Sequence, residues 1–168
     1  WMDKYVDKEG NILNYSAQEY NIDHIKNGKI LLALFKATGD KKYLNASHRL
    51  FAQMQSHPRT SEGGFWHKKV YPNQMWLDGL YMAQPFLTEY ADLMDKPELY
   101  DDIVNQFVWM EKNAKDPKTG LLYHGWDESH KERWSNPKTG VSPHFWGRGM
   151  GWFAFALVDV LDYFPTSH

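Results

Sequence analysis

Cysteine is absent from the 168 residues, which excludes disulfides and thiolate chemistry. An excess of either charge is missing too. Lys and Arg number 19 against 21 Asp and Glu, a net charge of −2, so nothing marks a binder of nucleic acid or of an anionic membrane surface. No apolar run approaches the eighteen or so residues of a membrane-spanning helix. GxSxG, GxGxxG and P-loop patterns do not occur, and the eight histidines fall into no HExxH spacing. Serine-elbow, dinucleotide, phosphate-loop and zinc-peptidase chemistry therefore drop out, and neither a metal nor an organic cofactor is expected. The opening WMDKYVDKEG lacks an initiator methionine, a signal peptide and a transit pattern. Its first six residues read as the end of a helix, so a piece of a longer, cytoplasmic protein is expected.

Aromatic residues are what the chain does have, at 16%, with eight tryptophans. A buried indole needs a partner for its N–H, so many of these rings should line a surface with one wet side. The length is that of one domain.

Helical periodicity dominates, in two kinds of segment. IKNGKILLALFKA (25–37), WLDGLYMAQPFLTEYADLM (76–94) and WFAFALVDVLDYF (152–164) are apolar almost all round, which predicts burial on most sides. Pro85 inside the second predicts a kink. KKYLNASHRLFAQMQ (41–55) and PELYDDIVNQFVWMEKNA (97–114) are amphipathic. Their stripes run through Tyr43, Ser47, Leu50 and Met54, and through Leu99, Ile103, Phe107 and Met110. The two kinds alternate and repeat: Phe51 matches Phe107, and GGFWH (63–67) matches GLLYH (120–124), a spacing of about 56 residues. One helical hairpin is being repeated, and stacked hairpins bury what one alone cannot. GGFWHKKVY and GLLYHGW predict short extended pieces inside long loops, the segments that carry function most often.

The repeat places polar residues alike. Asp23, Asp78 and Arg148 each fall before or at the start of an apolar helix, and His67 and His124 each close the loop after an amphipathic one. Hairpins packed side by side would gather all five at one end of the assembly. Asp78 stands among Trp76, Leu77 and Met82, where desolvation and a second carboxylate from Asp23 would raise its pKa while the helix terminus lowers it. A net rise would suit a general acid; the competing reading is a carboxylate favoured at a helix N-terminus. In HFWGRGMGWF, Arg148 lies between stacking faces, Trp146 and Trp152, with glycines supplying open backbone. A guanidinium there suits a substrate carboxylate bidentately, or merely bridges a loop. His124 could donate to a sugar hydroxyl or pin Asp127 in a turn. The aspartates of LYDDIV lie on the polar face of their helix, which makes a solvated face a better reading than a magnesium site.

With WLDGLYM, YHGWD and WGRGMGW present in this order, the chain resembles the unsaturated rhamnogalacturonyl hydrolases of glycoside hydrolase family 105 over essentially its whole length. The sister family 88 of unsaturated glucuronyl hydrolases reads closer to WARGQAW at the last motif, so the glycines favour family 105. The resemblance implies an all-α (α/α)6 barrel of six hairpins, of which residues 1–168 would supply about half, as part of a single catalytic domain. It implies hydration of the C4=C5 vinyl ether of a terminal unsaturated galacturonate, with release of that sugar from pectin-derived oligosaccharides. Asp78 would be the acid and then the base. Asp23, His67, Trp76, Met82, His124, Trp146, Arg148 and Trp152 would bind substrate. The implied partner is the unsaturated oligosaccharide, with no nucleic acid or membrane, and the oligomeric state is left open. Rival readings are a glucuronyl hydrolase acting on glycosaminoglycan-type disaccharides, an inverting glycosidase with Asp23 and Asp78 as its pair, and a non-catalytic carbohydrate-binding helical repeat.

Overall fold

A computed structural model of the protein describes residues 2–166. Its main elements in chain order are α1 (Asn27–Thr38), α2 (Lys41–Gln55), β1 (Gln74–Trp76), α3 (Leu77–Leu93), α4 (Tyr100–Ala114), β2 (Gly125–Asp127) and α5 (Gly147–Leu161). The fold is mostly helical. Short 3-10 turns at Ala17–Glu19 and Ile22–His24 lead into α1, and another at Pro97–Leu99 leads into α4. The N-terminal stretch that reads as a helix end is a 3-10 turn over Met2–Lys4.

Two hairpins are present as the repeat predicts. The first closes in two residues: Gly39 ends α1 with φ +70°, donating its N–H to Phe35 O, and the Asp40 carboxylate caps α2 by accepting from Lys42 N at 3.0 Å. Tyr43, Ser47, Leu50 and Met54 are all buried along α2. Ile103, Phe107 and Met110 are buried along α4, with Leu99 packed beside them. α3 is the centre, packed against α1, α4 and α5 and buried over most of its length. It continues through Pro85 without interruption. α1 crosses it closely because Gly28 presents no side chain: a Cβ there would stand 2.2 Å from the ring of Phe86.

Two expectations need correction. Burial on most sides holds for α3 alone. α1 buries Gly28, Leu31 and Leu32 but leaves Ile30 exposed, and α5 buries Gly149, Phe153, Ala156 and Val160 while Phe155, Val158 and Leu161 face solvent. α1 packs on α2 and α3, and α5 packs on α3, so each keeps a face with no packed neighbour. α5 also begins at Gly147 rather than at Trp152. Glycine has low helix propensity, but burial of Gly149 under the Trp146 ring and of Phe153 behind it outweighs that local preference.

Among the described residues no helix is long and apolar enough to cross a membrane.

Candidate active site

Backbone hydrogen bonds join the predicted site segments before any side chain is considered. Ile22 N donates to His67 O at 3.1 Å, and His67 N donates to Gln74 O at 2.8 Å. β1 pairs antiparallel with β2 in the register Gln74 with Asp127 and Trp76 with Gly125. One step on, Leu77 N donates to His124 O at 3.0 Å. The segments carrying Asp23, His67, Trp76, Asp78 and His124 are thus tied at one end of the molecule, where α1, α3 and α5 all begin. Asp78 and Arg148 are each the second residue of their helices.

Aromatic contacts continue the chain. The rings of His67 and Trp76 stack at 5.2 Å, His124 stands edge-on to Trp76 at 5.8 Å, and Trp146 stands edge-on to His124 at 6.0 Å. The Arg148 guanidinium lies 4.6 Å from the centre of the Trp146 ring. It is exposed, and among the described residues no carboxylate pairs with it. His124 Nδ1 is 3.1 Å from Ser142 Oγ and 3.3 Å from His144 O. His124 is therefore oriented by the loop before α5, and Asp127 has other partners. Trp152 stands apart, tilted on Tyr81 at 4.7 Å. Met82 is buried in the core one turn beyond Asp78.

The carboxylates differ in their surroundings. Asp23 takes His67 Nε2 at 3.2 Å on one oxygen and Lys68 Nζ at 2.7 Å on the other. Partial burial pushes its pKa up, but hydrogen bonds and charge from His67 and Lys68 outweigh that and hold the carboxyl far below its usual range. Lys68 thereby compensates its negative charge. Asp78 is half-buried, and its Oδ1 is sealed from solvent without a hydrogen-bond partner. His67 Nδ1 is sealed and unpartnered as well, over Gly79, where a Cβ would come within 2.9 Å of it. Unpaired buried polar atoms cost about 1–3 kcal/mol each, and these two lie on and against the first turn of α3. A carboxyl group there can exchange a proton with a ligand, and exposed Arg148 can take an anionic one.

Three further contributors escape the sequence pattern. Lys68 follows His67 but becomes a site residue only by folding onto Asp23. Trp134 stands edge-on to Trp76 at 6.4 Å, brought there by a loop that Asp127 organises. Asp127 is fully buried and accepts from the backbone N–H groups of Ser129, Lys131 and Glu132 and from the hydroxyls of Ser129 and Ser135. Its burial alone would raise its pKa; those hydrogen bonds lower it on balance. An Asp–x–Ser beginning a polar loop was the available signal. Among the described residues, no group of three or more His, Asp or Glu is gathered closely enough to hold a metal ion.

Comparison with known proteins bears on this arrangement. The family profile described as Glycosyl Hydrolase Family 88 matches residues 1–168. The unsaturated rhamnogalacturonyl hydrolase YesR of Bacillus subtilis is 32% identical over 155 residues, covering 88% of this chain and 43% of its own length. A solved glycoside hydrolase from family 105 of C. acetobutylicum superposes with a TM-score of 0.97 at 53% identity, covering 99% of this chain and 46% of that one. A possible family 105 member from Klebsiella pneumoniae gives a TM-score of 0.73 at 26% identity, covering 88% and 39%. The chain thus spans less than half the length of each of these relatives.

Proposed function

The chain belongs to the family described as Glycosyl Hydrolase Family 88, and on that premise we propose that the intact protein is a glycosidase that removes a terminal unsaturated galacturonate from rhamnogalacturonan oligosaccharides. The reading draws support from the name of YesR and from the glycines of WGRGMGW, which lean toward family 105. The observation that carries it is Asp78 at the start of α3, with one oxygen buried and unpaired, beside the Asp23–His67 pair and the Trp76–His124–Trp146 chain of rings. Residues 1–168 are taken as about half of one (α/α)6 catalytic domain. The exposed apolar residues of α1 and α5 fit that reading, since a closed ring gives every inner helix an inner neighbour on each side.

The chemistry follows from the substrate. C4=C5 is a vinyl ether, so protonation at C4 leaves a cation at C5 that the ring oxygen stabilises. Asp78 supplies that proton and becomes a carboxylate, ready to accept one from the water that attacks C5. The hemiketal opens to the C5 ketone, and the anomeric carbon, now an open hemiacetal, expels the remaining oligosaccharide. Asp23 orients hydroxyls or the water through its fixed geometry with His67 and Lys68. Arg148 binds the uronate, and His67 and His124 contact the sugar. Trp76, Met82, Trp146 and Trp152 shape the pocket around it.

The unsaturated uronyl group absorbs in the ultraviolet, and hydration destroys the chromophore. With the intact protein and unsaturated rhamnogalacturonan disaccharide, absorbance falls. In the Asp78→Asn variant, kcat drops by at least about a thousandfold, in the range seen for loss of essential proton transfer, while binding is largely kept. Equal cleavage of saturated substrates would overturn the hydration mechanism, and retained turnover in Asp78→Asn would remove that residue from its role.

A further inference from the structure

Three lysines of the α1 segment reach toward α3 and α5, and their pairing is unequal. Lys29 pairs with Asp159 of α5. Lys36 pairs with Glu89 of α3 at 3.0 Å and lies 5.1 Å from the Tyr163 ring. Lys26, at the end where the candidate site lies, has no such anion. Its ammonium sits 4.8 Å from the Trp152 ring and 5.7 Å from the Tyr81 ring. It is exposed, and among the described residues no carboxylate lies within ion-pair range of it. Asp23, three residues earlier, is already engaged by His67 and Lys68.

Stability gives little reason for this placement. Lys26 is the N-cap of α1, the end of a helix where a cation meets the unfavourable pole of the dipole. Its contact with the half-buried Tyr81 and Trp152 rings is favourable, but the rotamer freedom lost by a long side chain offsets it. Arg148 shows the same arrangement on α5, an exposed cation with no carboxylate partner among the described residues, against Trp146. Tyr81 lies one turn beyond Asp78, and Trp152 one turn beyond Arg148. Two tryptophans at the start of α5 thus each carry a cation at the end of the stack where α3 begins with Asp78, and an aromatic face with a neighbouring cation matches the C–H face and carboxylate of a uronate.

We propose that Lys26, mounted on Tyr81 and Trp152, is a specificity-determining residue that takes a carboxylate of the acidic oligosaccharide in addition to the contact Arg148 offers. The proposal rests on the hydrolase reading for its substrate class, so its test is separated from turnover. Binding is measured by calorimetry on the intact protein in the Asp78→Asn background. The ligands are unsaturated rhamnogalacturonan disaccharide, the tetrasaccharide with a second uronate, and the carboxyl-reduced, uncharged disaccharide. Lys26→Met weakens binding of an acidic ligand about tenfold and flattens its salt dependence, leaves the neutral analogue unchanged, and Lys26→Arg restores most of the loss. Weakening of both acidic ligands assigns the contact to the terminal unsaturated uronate, and weakening of the tetrasaccharide alone assigns it to the second. If Lys26→Met changes only the melting temperature, or weakens the neutral analogue equally, the side chain is structural and the proposal fails. Charge-dependent binding without loss of chromophore in the unsubstituted protein would sink the hydration reading and leave the role of Lys26 standing.

Discussion

His57 is buried between two partners: its Nε2–H donates to Trp66 O at 2.8 Å, and its Nδ1 lies 3.3 Å from Gln53 Nε2. Burial lowers its pKa from 6.5 to about 4, with the Trp66 carbonyl opposing and the charges of Arg59 and His67 adding to the shift. The unfolded chain takes up a proton as pH falls through 6.5, and the folded one only near 4. The neutral ring therefore contributes stability that is fully present above pH 6.5 and is lost as pH falls toward 4, by roughly 3 kcal/mol from the shift between 6.5 and about 4. Denaturant titrations at pH 7, 5.5 and 4 should show this slope, and His57→Gln should flatten it. The Asp23 carboxyl works in the lower window. Its pKa is depressed by His67 and Lys68, so its contribution is present above the usual carboxylate range and is lost only on further acidification.

At the scale of elements, the crossing of α1 over α3 depends on Gly28. Phe86 is fully buried, and a Cβ at Gly28 would sit 2.2 Å from its ring. Gly28→Ala gains about 1 kcal/mol of helix propensity. It meets an overpacking cost of about 1–3 kcal/mol against a ring with nowhere to move. The expected net result is a lower melting temperature, and recovery in Gly28→Ala with Phe86→Leu would locate the strain at that contact. The adjoining glycines of α5 behave differently. Gly147 and Gly151 face open space, while Gly149 admits the Trp146 ring, to which a Cβ would approach within 2.7 Å. One glycine of the motif serves packing, and two leave space beside Arg148 and Trp152.

Across the whole molecule, α3 lies between α1 and α5, with α2 packed on α1 and α4 on α3. The outer face of α5 exposes Phe155 at 62%, Val158 at 62% and Leu161 at 70%, a row of large apolar side chains of the kind that drives association when it is left uncovered. The 168-residue polypeptide on its own should bind a hydrophobic dye and associate as its concentration rises, measured by light scattering. Phe155→Lys with Val158→Glu should suppress both while shifting stability by less than about 0.5 kcal/mol, as is usual for exposed sites. A variant that still associates would move the sticky surface elsewhere.

Local pattern was enough for much of this protein. The stripes of α2 and α4 held because a helix that packs on one side only must show its buried face in its periodicity. The repeat put Asp23, Asp78, Arg148, His67 and His124 at one end because equal spacing along stacked hairpins means equal height in the stack. The limits of α5 were less legible, since its glycines enter the helix only when Trp146 and Phe153 are packed. What tertiary structure alone decided is who meets whom across the stack. It put Lys68 on Asp23, Trp134 against Trp76, and Lys26 over Tyr81 and Trp152. It also gave His124 to Ser142 and left Asp78 Oδ1 without a partner. Periodicity fixes the direction in which a side chain leaves its own helix or loop, whereas charge compensation and burial depend on residues brought in from other elements.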